Sequence, residues 1–311
     1  MLHLRVVSPP ERTERLLAVL RDQGGTAHLC VVRGAAVDPP GDVVEVDVAR
    51  EAADAVLDAI GADELAEVGA VLLTESGTAL SERAERAERI APGEGSDAVV
   101  WDDLVARTGE ESRLNGTFLA FLSLACLLAA VGAVTDSAVT VVGAMVVGPE
   151  FGPLAALAVG AVVHRWDLVR RAALALATGF PLAMVITAGA TLLGEAAGLI
   201  STASLAGDDQ VAFVYQVGWP SLIVSLLAGA AGMLSLTSAK SAALVGVFIS
   251  VTTVPAAGYA AVAATLGDWP RLVSSSAQLA VNLLGIVAAA ALVLLVRSGR
   301  PRRAEPVAPL R

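Results

Sequence analysis

One stretch limits what this chain can fold into. Asp136 to Pro153 reads DSAVTVVGAMVVGPEFGP. It is apolar enough for a membrane, yet it holds Gly143, Gly148, Pro149, Gly152 and Pro153, with one carboxylate, Glu150, among them. Proline removes a backbone donor and clashes with the preceding turn, so no unbroken helix is expected through it. In lipid, broken backbone is tolerated only where protein buries it or where it lines a water-filled cavity. A second stretch, Lys240 to Gly258, reads KSAALVGVFISVTTVPAAG and echoes the first. DSA answers KSA, Gly143 answers Gly246, and PEFG answers PAAG with Pro255, at inexact spacing.

Charge divides the chain. Residues 1–115 hold 11 Lys/Arg against 23 Asp/Glu, net −12, whereas residues 116–311 hold 10 against 8, net +2. With 55% hydrophobic residues overall, this describes an acidic soluble domain followed by a membrane domain. The acidic balance argues against nucleic acid, whose phosphates demand basic patches. Cys30 and Cys126 fall one in each part, so no disulfide framework is expected. The start, MLHLRVVSPPER, lacks a basic n-region and a long apolar core, so no signal peptide is expected.

In chain order, Leu2–Val7 reads as a strand, Glu11–Asp22 as a helix, and Ala27–Val32 and Val43–Val48 as strands. Glu51–Ile60 follows as a helix and Val68–Leu73 as a strand. That β-α-β-β-α-β order predicts a ferredoxin-like α+β domain over residues 1–75. Cys30 stands alone without a C-x-x-C. His3 and His28, on neighbouring strands, are read as packing or surface residues, and no metal or other cofactor is expected. Residues 76–115 form a charged linker: SERAERAERI with i,i+4 Glu/Arg pairs, then an amphipathic juxtamembrane segment around Trp101.

From Thr117 the apolar runs predict six spans over 116–296: roughly 116–134, 137–163, 168–194, 218–236, 240–265 and 272–296. Residues 297–311 are a basic tail. Arg107 and Arg113, then Arg165, Arg170 and Arg171, then Lys240, then Arg297, Arg300, Arg302 and Arg303 fall on alternate loops. Asp136, then Glu195, Asp208 and Asp209, then Asp268 with Arg271, fall on the others. Lys and Arg near span ends mark the cytoplasmic side, which predicts a multi-pass protein of the plasma (inner) membrane with both termini inside. The two broken stretches are then the second and fifth spans, running in opposite directions. A 3+3 inverted repeat with paired breaks is a recurrent transporter design.

Glu150 is the sharpest candidate. A charge at the bilayer centre costs at least about 2.5 kcal/mol, so such a group faces a cavity, pairs, or is protonated. It can be a cation ligand, a proton carrier, or an acceptor for donors freed by Pro149 and Pro153. Thr252 and Thr253 offer hydroxyls just before Pro255. Gln278 with Asn282, and Thr187 with Thr191, share helix faces at i,i+4, a pattern that interhelical hydrogen bonds also explain. Asp136 and Lys240 are read as membrane-end anchors. Gly148-x-x-x-Gly152 and the run Ala228–Gly232 permit close helix contact. No G-x-S-x-G, H-E-x-x-H, paired-aspartate or Walker motif occurs, and His164, the one histidine of the membrane part, sits at a span end, so no enzyme is expected.

These residues resemble a family of bacterial and archaeal hydrophobic membrane proteins, domain of unknown function 389. DSAVTVVGAMVVGPEFGP looks like its DS-x-x-x-x-IGAM-x-x-x-P-x-x-GP signature, and VGVFISVTTVPAAG like its second, proline-containing block, within residues from about 112 to 296. The resemblance carries signature status to Asp136, Ser137, Gly143, Ala144, Met145, Pro149, Gly152 and Pro153. It implies no mechanism, and Gly148, Glu150 and the single Pro255 depart from the pattern. Two functions remain open on the sequence. One is a transporter or channel for a small solute or ion, with a pathway between the broken spans and a regulatory or assembly domain in the cytoplasm. The other is a non-transporting scaffold or sensor whose cytoplasmic domain binds a ligand or partner. A homo-oligomer in the lipid bilayer is expected under either.

Overall fold

The computed structural model describes residues 1–76, 81–91, 99–200, 210–238 and 253–298. The chain divides into two compact units, chiefly between Leu104 and Val105, with Thr237 and Ser238 grouped with the first.

The first unit is built on a sheet of β1 (Leu2–Ser8), β2 (Thr26–Val37), β3 (Pro40–Val48) and β4 (Ala70–Glu75), in the order β2-β3-β1-β4. Every neighbouring pair is antiparallel. Alternation decides its faces: Leu2, Leu4 and Val6 stand opposite Val48, Val46 and Val44, and all six are buried. Leu16, Leu17 and Leu20 of α1 (Pro10–Asp22) and Val56 and Leu57 of α2 (Ala53–Ile60) close this core. Proline at the first position of α1 costs nothing, because that N–H has no helical partner. A short helix, α3 (Ala62–Val68), stands where the sequence reading began its last strand, so that strand starts two residues later, at Ala70. In α4 (Glu82–Ile90), Ser81 caps the N-terminus by accepting the Arg83 N–H at 3.2 Å.

His3 and His28 meet on one carboxylate. Their Nδ1 atoms lie 2.9 and 2.7 Å from the two oxygens of Asp47, and His28 Nε2 lies 2.7 Å from Ser81 Oγ. Burial of Asp47 opposes its ionisation, but the hydrogen bonds from His28 and His3 outweigh it and hold the carboxyl below its ordinary range. Among the described residues no group of three or more His, Cys, Asp or Glu is placed to hold a metal ion.

The second unit is helical. After α5 (Trp101–Glu111) come α6 (Gly116–Val134), α7 (Ala138–Val147), α8 (Phe151–Val162), α9 (Trp166–Ala196), α10 (Trp219–Thr237), α11 (Thr253–Thr265) and α12 (Trp269–Ser298). Four of these, α6, α9, α10 and α12, are long and apolar enough to cross a membrane, and α7 with α8 make a pair bent by 54°. At 10, 12 and 13 residues, α7, α8 and α11 would reach only about 15–20 Å each, short of the roughly 30 Å hydrocarbon core. The first half of the predicted fifth span, with Thr252, lies outside the described residues. On α6, the large apolar side chains of Phe121, Leu124, Leu128 and Val131 are exposed along one face, the surface expected of a helix solvated by lipid.

Polar caps start α6 and α7. Asn115 Oδ1 accepts the Phe118 N–H at 2.7 Å, and Ser137 Oγ accepts the Thr140 N–H at 3.3 Å. The most enclosed helix is α11, whose residues from Thr253 to Ala263 are all buried. Its Tyr259 stacks on Tyr215, ring centroids 4.9 Å apart, and Arg271 covers Tyr215 at 5.5 Å. Glycine lets α11 reach α6: a Cβ on Gly258 would lie 2.7 Å from Ala129 Cβ and 2.7 Å from the Cys126 carbonyl oxygen. Gly229, in the run Ala228–Gly232, does the same for α10 against the Ile286 backbone of α12.

Equal spacing runs through the second unit. Helices α6 and α10 have 19 residues each, and α9 and α12 have 31 and 30. The starts of each pair are 103 positions apart, from Gly116 to Trp219 and from Trp166 to Trp269. The close approach at Gly258 gives a direct test. Gly258→Ala is expected to cost about 1–3 kcal/mol of stability in thermal unfolding of the purified protein. Gly143→Ala, at an exposed position with open space around it, should be neutral or stabilising by up to about 1 kcal/mol. An unchanged unfolding midpoint for Gly258→Ala would contradict the contact.

Candidate functional site: the meeting of two helix N-termini

The break in the second predicted span is short. Helix α7 ends at Val147, Gly148 and Pro149 carry the chain round, and Glu150 is the N-cap residue of α8. Proline fits the third position of α8, Pro153, because first-turn N–H groups have no partner within the helix. Helix α11 opens the same way, with Thr253 first and Pro255 third. By helix position Pro153 therefore corresponds to Pro255, a different pairing from the PEFG/PAAG match read from the sequence.

The two starts meet. Thr253 Oγ1 donates to Glu150 Oε1 at 2.5 Å, and both residues are buried, Glu150 to 1% exposure. Glu150 does not cap its own helix with its side chain. It reaches to the first residue of α11 instead. The N-terminal end of a helix carries partial positive charge, so two such ends at one point lower the cost of a negative charge there. A hydroxyl bond to a carboxyl group adds to this. The arrangement can hold a proton or a cation on Glu150, or fix the helix starts to each other.

A third element adjoins. A Cβ on Gly152 would lie 2.6 Å from Glu111 Cβ and 3.1 Å from Glu111 Oε2, so the end of α5 rests on the first turn of α8. Partial burial raises the Glu111 carboxyl above its ordinary range, with the charge of Arg107 opposing. Sequence reasoning gave Gly152 a helix-contact role but did not find Glu111. Its one sequence signal is a signature glycine that a side chain cannot replace.

The other predicted residues are placed as follows. Gly152, Pro153 and Pro255 are buried beside the junction, and Gly148 and Pro149 are half-buried in the break. Gln278 and Asn282 are fully buried on α12, and among the described residues the side-chain nitrogen and oxygen of both have no hydrogen-bond partner. No bond joins them to Glu150 among the described residues, and Thr252 lies outside these.

The signature residues hold the frame. Asp136, at a left-handed φ of 45°, accepts the N–H groups of Gln210 and Val211, both at 3.2 Å, so it ties the segment before α10 to the start of α7. Ser137 caps α7, and Ala144 and Met145 are buried. Gly143 sits on an exposed face with Val139, Val142 and Val146.

Because one hydroxyl joins two helix starts, Thr253→Val is expected to destabilise the protein by about 1–3 kcal/mol, while Thr253→Ser stays close to wild type. Thermal unfolding in detergent, with both variants side by side, separates loss of the hydroxyl from loss of the methyl group. Equal midpoints for Val and Ser would contradict the bond.

No curated protein and no solved structure matches the chain. A family model does, over residues 145–288, so it begins inside the first signature block and takes in Pro149, Gly152, Pro153, Pro255, Gln278 and Asn282. Its description is domain of unknown function (DUF389), and the matched membrane segment of this chain belongs to that family, as the resemblance of the two blocks implied.

Proposed function

We propose that the chain is an integral membrane transporter or channel for a small solute or ion, with a pathway that passes the junction of α8 and α11. The observation that carries this reading is Glu150, a carboxyl group buried to 1% exposure at a helix break within an apolar span. An ionisable group in that setting is costly, and a role in moving a proton, ion or solute accounts for a carboxyl group there. No catalytic motif competes with it in the sequence, and the reading is of a non-enzyme.

The spans form a six-span, 3+3 inverted repeat in this reading. Its support is the 103-position spacing, the matched helix lengths, and the proline at the third position of both α8 and α11. Two half-helices meeting by their N-termini is the geometry of broken-helix transporters, whose sites lie at the repeat interface. The loop charges support cytoplasmic termini in the plasma (inner) membrane. The N-terminal unit is ferredoxin-like, supported by its strand order and all-antiparallel pairing, and it regulates or assembles the membrane part. Copies of the chain associate within the bilayer in this reading.

Charge movement in proteoliposomes on a solid-supported membrane tests this, with steps of pH, Na⁺, K⁺ and small anions, and tracer uptake alongside for electroneutral movement. Wild type is expected to respond, and Glu150→Gln, with its fold intact, to lose the response. A response unchanged in the variant would remove Glu150 from the pathway. Neither current nor uptake in wild type would leave the scaffold or sensor reading in its place.

A further inference from the structure

Glu150 is not the only polar group buried in the spans. On α12, Ser275, Gln278 and Asn282 recur at i, i+3 and i+7, all at 0% exposure. Their side-chain oxygens, and both amide nitrogens, have no hydrogen-bond partner among the described residues. Buried polar groups are rarely left this way, and three neighbours on one helix face call for an explanation. Beyond them the same face turns small and apolar, through Gly285, Ile286, Ala289 and Ala290.

Helix rise places this face. Helices α11 and α12 pack together as a hairpin joined by residues 266–268. At about 1.5 Å per residue, Thr253 lies about 18 Å from the last residue of α11, and Asn282 about 20 Å from the first of α12. Asn282 is therefore at the depth of Thr253 and of the Glu150 carboxyl bonded to it. Gln278 and Ser275 follow, one and two turns nearer the hairpin bend.

Packing does not require these residues. On the 103-position register, Ser275, Gln278 and Asn282 take the places of Ala172, Ala175 and Gly179 of α9, all three buried. One half of the bundle thus fills this face with alanine and glycine, while the other sets a hydroxyl and two carboxamides there.

The chemistry of the face selects its ligand. Each carboxamide offers an acceptor oxygen and two N–H donors, and the hydroxyl is both donor and acceptor. An anion would satisfy the donors alone and a cation the oxygens alone. A molecule with donors and acceptors of its own satisfies both. We propose that Ser275, Gln278 and Asn282 form a binding face for small uncharged hydrogen-bonding molecules, water or a neutral polar solute, at the depth of Glu150. This deepens the transport reading by naming the class of molecule that its pathway accommodates.

Water access to the face decides the matter. In full-length protein in liposomes, with Cys30 and Cys126 replaced by Ser and Ala, Asn282→Cys and Gln278→Cys are each treated with 2-aminoethyl methanethiosulfonate. Ala289→Cys, further along the same buried stripe, is the control. The two polar-face cysteines are expected to react at least about tenfold faster than the control, because only a thiolate in contact with water reacts readily. Equal, negligible reactivity at all three positions would show a dry face and overturn the proposal. Stopped-flow light scattering with water, glycerol and urea then identifies the occupant. Acceleration of water alone, lost in Gln278→Leu/Asn282→Leu, assigns water; acceleration of glycerol or urea assigns a neutral solute. A dry face beside a Glu150-dependent current defeats this inference and spares the transport reading. Reactive cysteines without current or uptake do the reverse.

Discussion

A polypeptide that breaks its helix inside an apolar span must satisfy its polar groups within the protein, because lipid offers no partner. In this chain that requirement falls on the turn at Gly148-Pro149 and on the starts of α8 and α11. The answer is local and economical. Proline sits at the third position of both helices, where an N–H would have no helical acceptor. One side chain, Glu150, reaches from one start to the hydroxyl of the other. Around this point the most enclosed helix of the bundle, α11, is held at its middle by the Gly258 contact to α6 and by the Tyr215–Tyr259 stack.

The same arrangement explains what the signature residues do. Asp136 and Ser137 bond to backbone N–H groups of the chain itself. One accepts two backbone N–H groups from the segment before α10, and the other caps α7. Gly152 admits the end of α5 beside the first turn of α8. These residues position the break, and Glu150 puts a carboxyl group into it. Frame and chemistry are thus carried by different residues.

Much of this was legible from local rules. Two prolines among glycines in an apolar run predict a break, and the bent pair α7–α8 lies there. Period-two alternation finds all four strands of the N-terminal sheet, but β2 runs on to Val37, five residues past its expected end at Val32, and β3 starts three residues early, at Pro40, because the hairpin between them is tighter than the Pro-Gly loop suggests. The misses have physical reasons. Helix α3 has seven residues and little periodicity to read, so Val68 passed for the start of a strand. Asp136 was read as a membrane-end anchor because its partners, Gln210 and Val211, are more than seventy positions away. The same holds for Glu111 against Gly152 and for the meeting of Glu150 with Thr253. Similar letters paired PEFG with PAAG, whereas position within each helix pairs Pro153 with Pro255. A hydroxyl in a helix is usually satisfied by its own backbone, so nothing in the sequence marks Ser275, and only its burial without a partner among the described residues sets it apart.

The central claim is that Glu150 and Thr253 join the starts of two half-helices inside the membrane. A double-mutant cycle tests it most directly, with Glu150→Leu, Thr253→Val and the pair, read by reversible unfolding in bicelles. Coupling of about 1–3 kcal/mol is expected, the double variant being less destabilised than the sum of the two single changes. Additive losses within about 0.3–0.5 kcal/mol would mean that the two side chains do not interact, and would contradict it.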